Sequence, residues 1–256
     1  PTWTQAANWQ GGVATSSYPP AILFRGNGVS SNDAANPFIG NRLTFNIGSG
    51  SNQVVRGGTL QLDGFQAPQF EQRGAGSVQI DNDLVLSNSL PLSGSGSGAV
   101  TVNGAISGSG ALSKSGAWTL VLGGSNSYSG GTTINAGQLL AANSNALALT
   151  TLNLAGGSLG FSNITGATLG ALSGSGGVEL ANTAGQAVAL RLGTTDSANY
   201  SGSLSGSGSL TKIGGSSAQT LSGTSSYTGD TLVQGGTLSV NGQLLATPPR
   251  AVLVIQ

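Results

Sequence analysis

Along most of the chain, apolar residues come in short alternating groups, and glycine and small polar residues fill the gaps between them. Leu43-Thr44-Phe45-Asn46-Ile47 alternates strictly and runs into Gly48 and Gly50. A period of two puts Leu43, Phe45 and Ile47 on one side of extended backbone, which predicts a strand with one buried face. Val54-Val55-Arg56, Thr59-Leu60-Gln61-Leu62, Val78-Gln79-Ile80 and Leu84-Val85-Leu86 follow the same plan. So do Val100-Thr101-Val102, Thr119 to Leu122 and Thr132 to Ile134. Asp81-Asn82-Asp83 reads as a turn between two of these strands. No segment keeps a helical period for more than two turns. A glycine every few residues would also cost a helix interior about 1 kcal/mol each. The prediction is an all-β chain.

The pattern also repeats. Ile106, Gly108, Gly110, Leu112, Lys114 and Gly116 return 98 positions later as Leu204, Gly206, Gly208, Leu210, Lys212 and Gly214. Tyr128, Gly130, Thr132, Ile134, Gly137 and Leu139 return 99 later as Tyr227, Gly229, Thr231, Val233, Gly236 and Leu238. The copies occupy 104–140 and 202–240. Glycine and apolar positions are kept while Ala, Ser and Thr drift, as expected of a repeated structural unit and not of one catalytic site. A second recurring glycine falls at Gly58, Gly137, Gly157 and Gly236, with spacings of 79, 20 and 79.

Short strands with small polar corners fit two architectures, an antiparallel sandwich and a parallel solenoid. Asn103-Gly104 and Asn241-Gly242 are hairpin signals and keep the first in play. Like motifs at like registers, stacking Leu on Leu and Asn on Asn, favour the solenoid, with coils of about 20 residues.

Composition narrows the function classes. Charged residues are 6% of the chain, eight basic against eight acidic, so no field draws nucleic acid or anionic lipid. With 38% apolar residues, enough surface can be buried to exclude disorder despite 44 glycines. No apolar run approaches the ~20 residues that span a bilayer as a helix. Cysteine and histidine are absent, which removes disulfides, thiolate metal sites and Ser-His catalysis. No cofactor is expected. Methionine is absent too, so Pro1 is not a translational start, and the chain reads as a processed mature protein or an excised fragment, its leader cut away.

Candidate chemistry is sparse. Asp81 and Asp83, with Glu71 and Arg73 a strand upstream, are the one local carboxylate group in reach of calcium or acid–base work. A carbohydrate-active enzyme is therefore the reading to test against a non-enzyme. Asx-rich turns explain the same residues without catalysis. Lys114 and Lys212, at equivalent repeat positions, are expected to blunt an exposed surface or edge.

The run from Gly108 to Leu139 resembles the autotransporter-associated β-strand repeat, also called the passenger-associated transport repeat. The match lies at Gly108, Gly110, Leu112, Lys114, Gly116, Leu120, Leu122, Gly124, Asn126, Tyr128, Gly130, Gly131, Thr132, Ile134, Gly137 and Leu139. The second copy departs at Ser225, where the pattern has Asn, and at Asp230, where it has Gly. Thr2-Trp3-Thr4 and Asn8-Trp9, with Phe24 and Gly26, resemble the start of large proteins carrying the repeat. The resemblance implies a single-stranded right-handed parallel β-helix at the surface of, or released from, a Gram-negative-type cell. It links the repeat to secretion of a passenger, not to catalysis. No translocator barrel follows Val240, which the resemblance explains by cleavage or by a class without one.

The expected organisation is a β-helix over 1–246, with an N-terminal cap region at 1–26 and a Pro-Pro spacer and tail strand at 247–256. Trp3 and Trp9 lie on one face of an extended segment and suit a lid or a sugar platform. Val252, Leu253, Val254 and Ile255 form a bare aliphatic strand that suits a final rung or donation to a neighbour. Trp3, Trp9 and these four are the assembly candidates. The expected partner is another copy, in a homo-oligomer or head-to-tail homopolymer, or a surface glycan or other cell-surface ligand. The leading function is an extracellular fibre or surface-layer subunit, with an adhesin passenger as the alternative.

Overall fold

A computed structural model describes residues 2, 3, 5, 21–33, 37–63, 67–193 and 196–245, and the backbone of Val252–Val254. Among them there are strands and no helix, and the strand pairings are parallel. The fold is a β-solenoid. Asn103 and Asn241 sit at corners between parallel rungs, not in hairpins, and their N–H groups donate to Ile80 and Leu221 of the preceding coil. Two compact units divide the chain, Pro1–Gly130 and Gly131–Gln256.

In the first unit the coils contribute strands to three faces. Ala21–Phe24, Arg42–Phe45, Gln69–Gln72, Leu90–Ser93 and Leu112–Lys114 stack on the first face. Gly28–Asn32, Asn52–Gly57, Ser77–Ile80, Val100–Val102 and Thr119–Leu122 form the second. Phe38–Gly40, Leu60–Leu62, Leu84–Leu86 and Ile106–Gly108 form the third. Strand residues alternate in and out, so each face feeds inward columns such as Val78–Val100–Leu120 and Phe38–Leu60–Leu84–Ile106. Coil length varies here around and above the expected 20 residues: Val100 lies beside Leu120, Leu90 beside Leu112, and Arg42 beside Gln69.

In the second unit Thr132 lies beside Leu152 and Leu190 beside Leu210, the predicted spacing of 20, whereas Val178 lies beside Leu204, 26 residues on. Here two long strands, Leu147–Leu154 and Gly166–Gly174, each span a corner and serve two faces. Later coils break that span into separate strands, Ala189–Leu192 and Ala198–Tyr200, then Ser209–Lys212 and Ala218–Leu221.

The rungs satisfy one another's backbone groups, which is why close approach matters more than side-chain identity at many corners. A Cβ on Gly98 would stand 1.8 Å from the carbonyl oxygen of Gly76 on the neighbouring coil. Gly108 has φ of +103°, a conformation that L side chains rarely adopt.

Aromatic residues, few in the composition, are concentrated in the first unit's core. Phe24 and Phe45 stack at 4.7 Å between ring centres and 5° between planes, and Phe45 meets Phe70 at 5.1 Å. Trp3 closes on Phe38 edge-on at 4.7 Å, and Phe70 reaches Trp118 at 6.4 Å.

Candidate functional site

The repeat's two lysines are the most unusual side chains in the molecule. The expectation that they blunt an exposed edge is wrong: Lys114 is 0% and Lys212 1% exposed. Register explains it. On the first face the inward column runs Ile22–Leu43–Phe70–Leu92–Lys114. In the second unit Lys212 stands in an inward column between Leu192 and Val233. The period of two that buries Leu112 and Leu210 buries the lysine two residues on.

Each ammonium group is tied to backbone carbonyls of the corner that follows. Lys114 Nζ donates to Gly116 O at 3.0 Å and sits 4.3 Å from the centre of the Trp118 ring. Lys212 Nζ donates to Ile213 O, to Ser217 Oγ at 3.0 Å and to Gly235 O at 3.4 Å. Ser217 in turn donates to Gly193 O at 3.2 Å, so one buried cation fastens three successive coils. Burial disfavours the charged form of both: the Lys114 amine is pulled down to about 8, and Lys212 moves the same way. Neither amine is placed to attack a substrate from solvent. The arrangement is structural.

The departure at Ser225 has a physical account. Asn126 Oδ1 accepts from the Ile106 N–H at 2.8 Å, and Ser225 Oγ accepts from the equivalent Leu204 N–H at 3.3 Å. Both side chains are buried and supply an acceptor to the coil before. Internal amides of this kind are what the sequence reading missed. Gln72 donates to Gly76 O and Gly98 O at 3.1 and 3.0 Å, and Asn82 donates to Gly58 O at 2.6 Å, each from a fully buried position. A polar residue at an inward strand position or beside a corner glycine was the available signal.

Asp81 and Asp83 are exposed on either side of the buried Asn82. Asp81 accepts from Gln79 Nε2 and, at 2.8 Å, from Asn103 Nδ2 of the next coil. Asp83 accepts from the Ala105 N–H at 2.8 Å. Glu71 is paired with Arg73 at 2.7 Å on another face. The carboxylates fix corners between coils, and no group of three or more metal-ligating residues exists among the described residues.

Of the assembly candidates, Trp3 is fully buried against Phe38 and Phe24, and its backbone N–H donates to Ser31 O at 3.0 Å. Trp9 and Ile255 lie outside the described residues, as does the Pro248-Pro249 spacer. Val252, Leu253 and Val254 pair in parallel with Thr231, Leu232 and Val233 of their own chain. The large exposed apolar side chains among the described residues are Leu23, Val29 and Ile39, one on each face of the first unit, and Leu149, Val240, Leu244 and Leu245 in the second.

Comparison with known proteins finds the same repeat. A family model, passenger-associated-transport-repeat, matches residues 112–141 and 210–240, the segments that carry the buried lysines. The adhesin BmaC autotransporter of Brucella suis biovar 1 (strain 1330) is 38% identical over 131 residues. That alignment takes in 47% of this chain, which spans about 4% of the relative's length. No solved structure matches.

Proposed function

We propose that this chain, which carries two passenger-associated-transport repeats, is a stretch of the secreted passenger of an autotransporter-type adhesin, displayed at the bacterial surface. The observation that carries the reading is the placement of the repeat. Its Leu, Lys, Asn and Tyr positions are spent on the interior and on coil-to-coil bonds. The outward positions carry mostly uncharged residues, Ser, Thr and Gln among them, which gives a nearly uncharged scaffold. Its role is to hold a binding surface away from the cell, without catalysis of its own. Expression behind a leader and ahead of a translocator barrel, in a non-adherent Gram-negative host, tests this. Surface display with adhesion to cultured animal cells above a barrel-only strain is expected. Full display without added adhesion overturns the adhesive part.

A second reading, a self-assembling fibre subunit, draws on the last described coil. The inward columns Tyr200–Leu221–Val240 and Ser225–Leu244 end on side chains that are exposed instead of covered. A further parallel coil, whether of the same chain's continuation or of another copy, would bury them. Sedimentation of purified chain separates the readings: large polymers, lost on Val240→Lys with Leu244→Lys, belong to the fibre, and a monomer excludes it.

A further inference from the structure

Two Asn-x-Ser/Thr triplets occur in the second unit, Asn163-Ile164-Thr165 and Asn199-Tyr200-Ser201. Such a triplet is an acceptor for N-glycosylation where the backbone is presented at the surface. We propose that Asn163 is an N-glycan acceptor and that Asn199 in the folded chain is not.

The two sites differ in what they leave free. Asn163 and Thr165 are both exposed and lie outside any strand, in the corner between Ser158–Phe161 and Gly166–Gly174, with Ile164 half-buried between them. Asn163 Oδ1 accepts from Thr183 Oγ1 at 3.3 Å, and Ile164 O accepts from Asn182 Nδ2 at 3.2 Å. Those bonds hold the corner from behind. The Asn163 Nδ2 group donates to nothing among the described residues, and neither does the Thr165 hydroxyl. Asn199 is exposed too, with its Oδ1 accepting from Ser222 Oγ at 3.0 Å, but it sits within the strand Ala198–Tyr200, and the central Tyr200 is buried with its hydroxyl in hydrogen-bond reach of Gly176 O and Ser203 O. The Ser201 hydroxyl donates to Gly174 O at 3.1 Å, and the Ser201 N–H to the same oxygen. An enzyme cannot engage that triplet without peeling a rung.

The co-reactant is a glycosyl donor activated by a phosphate ester, either a nucleoside-diphosphate sugar or a lipid-pyrophosphate oligosaccharide. The Asn163 Nδ2 forms the bond to the anomeric carbon as the bond from that carbon to the phosphate oxygen breaks. The diphosphate or pyrophosphate leaves with the bonding pair, and the amide proton passes to a base of the transferase. The physical benefit follows from the surface itself. Eight cations and eight anions on 256 residues give little mutual repulsion, and a sugar adds a bulky hydrated group where charge is lacking.

The test uses folded, purified full chain in two arms. One contains UDP-glucose and a soluble transferase that recognises the triplet, the other a lipid-linked oligosaccharide with its membrane transferase. Peptide mass spectrometry reads occupancy. A mass gain on the Asn163 peptide and none on the Asn199 peptide is expected in at least one arm, and the size of the gain identifies the donor. N163Q and T165A lose the gain and T165S keeps it. Urea-unfolded chain gains mass at both triplets. Equal modification of Asn199 in the folded chain overturns the proposal. So does persistence in T165A, or an unmodified Asn163 in both arms while a control Asn-x-Thr peptide reacts.

Discussion

The Nζ of Lys114 lies 4.3 Å from the centre of the Trp118 ring, four residues further along the same coil, with both side chains inside the solenoid. The ring face and the Gly116 carbonyl replace part of the water the ammonium has lost. They do not replace all of it, because desolvation still pulls the amine down to about 8. Between that value and the ordinary 10.5, the unfolded chain holds a proton that the folded chain has released. Stability therefore rises with pH across this window, and below it the penalty is fully present. Lys212 adds to the same trend.

The tyrosines set the upper limit. Burial raises the hydroxyl pKa of Tyr200 and of Tyr227, so above 10.0 the unfolded chain ionises them while the folded chain resists. Their contribution is lost as pH rises through that value. Urea midpoints followed from pH 7 to 11 should climb from about pH 8, peak near 10 and fall again. A flat profile would refute the burial of these groups.

Lys114→Met separates the lysine's contribution. Met fills a similar volume without a charge, and exchanging a buried charge for an apolar group of like shape is neutral or stabilising by about 1–4 kcal/mol. The variant should match or exceed the parent at pH 7 and show a shallower rise above pH 8. Marked destabilisation at pH 7 would mean that the carbonyl bonds, not the desolvated charge, dominate the site.

How much of this could be read beforehand depends on which signal carried it. Val78, Val100 and Leu120 announce themselves through alternation, and their stacking follows from repeat spacing. The repeat pattern also pointed to the parallel solenoid ahead of the sandwich. For Lys114, residue type points outward while register points inward: the alternation running through Leu112 puts position 114 inside. Gln72 and Asn82 carry no apolar signal at all. Their burial depends on carbonyls of neighbouring coils, Gly98 for Gln72 and Gly58 for Asn82, 26 and 24 positions away, a relation that only the coil geometry supplies. The 27-residue offset between Arg42 and Gln69 likewise has no local marker.

The stacked leucines test the core directly. Leu112 and Leu210 are 2% and 0% exposed, and each lies beside an apolar residue of the coil before it, Leu90 and Leu190. Truncation of either to Ala should cost about 2–5 kcal/mol in thermal or urea unfolding. The two effects should be of similar size, since the positions are equivalent in the repeat. An unchanged midpoint would put these side chains outside the core.

Phe45 stands between Phe24 and Phe70, so its removal breaks two ring contacts at once. Phe45→Ala should destabilise by about 3–5 kcal/mol. A double-mutant cycle with Phe70→Ala should return a coupling of about 0.5–1.5 kcal/mol, beyond simple area loss. Strict additivity would show that the ladder is only adjacent packing.

Glycine tolerance gives the sharpest contrast, because the two outcomes have opposite sign at neighbouring corners of one unit. A Cβ at Gly98 would lie 1.8 Å from the Gly76 carbonyl oxygen, and the obstacle is backbone on the adjoining coil. Relief requires the rungs to part, which breaks the ladder on both sides, so Gly98→Ala should cost more than about 3 kcal/mol. A Cβ at Gly48 meets nothing within 4 Å, and Gly48 is not held at positive φ. Gly48→Ala removes unfolded-state freedom without strain and should stabilise by about 0.4–1 kcal/mol. Hydrogen exchange adds a spatial reading: Gly98→Ala should speed exchange at the amides of Ser97 and Gly98, which both donate to Gly74 O. Exchange in Thr119–Leu122, bonded through Val100–Val102 instead, should change less. Equal midpoints for the two variants would contradict the close stacking of coils on which the whole interior depends.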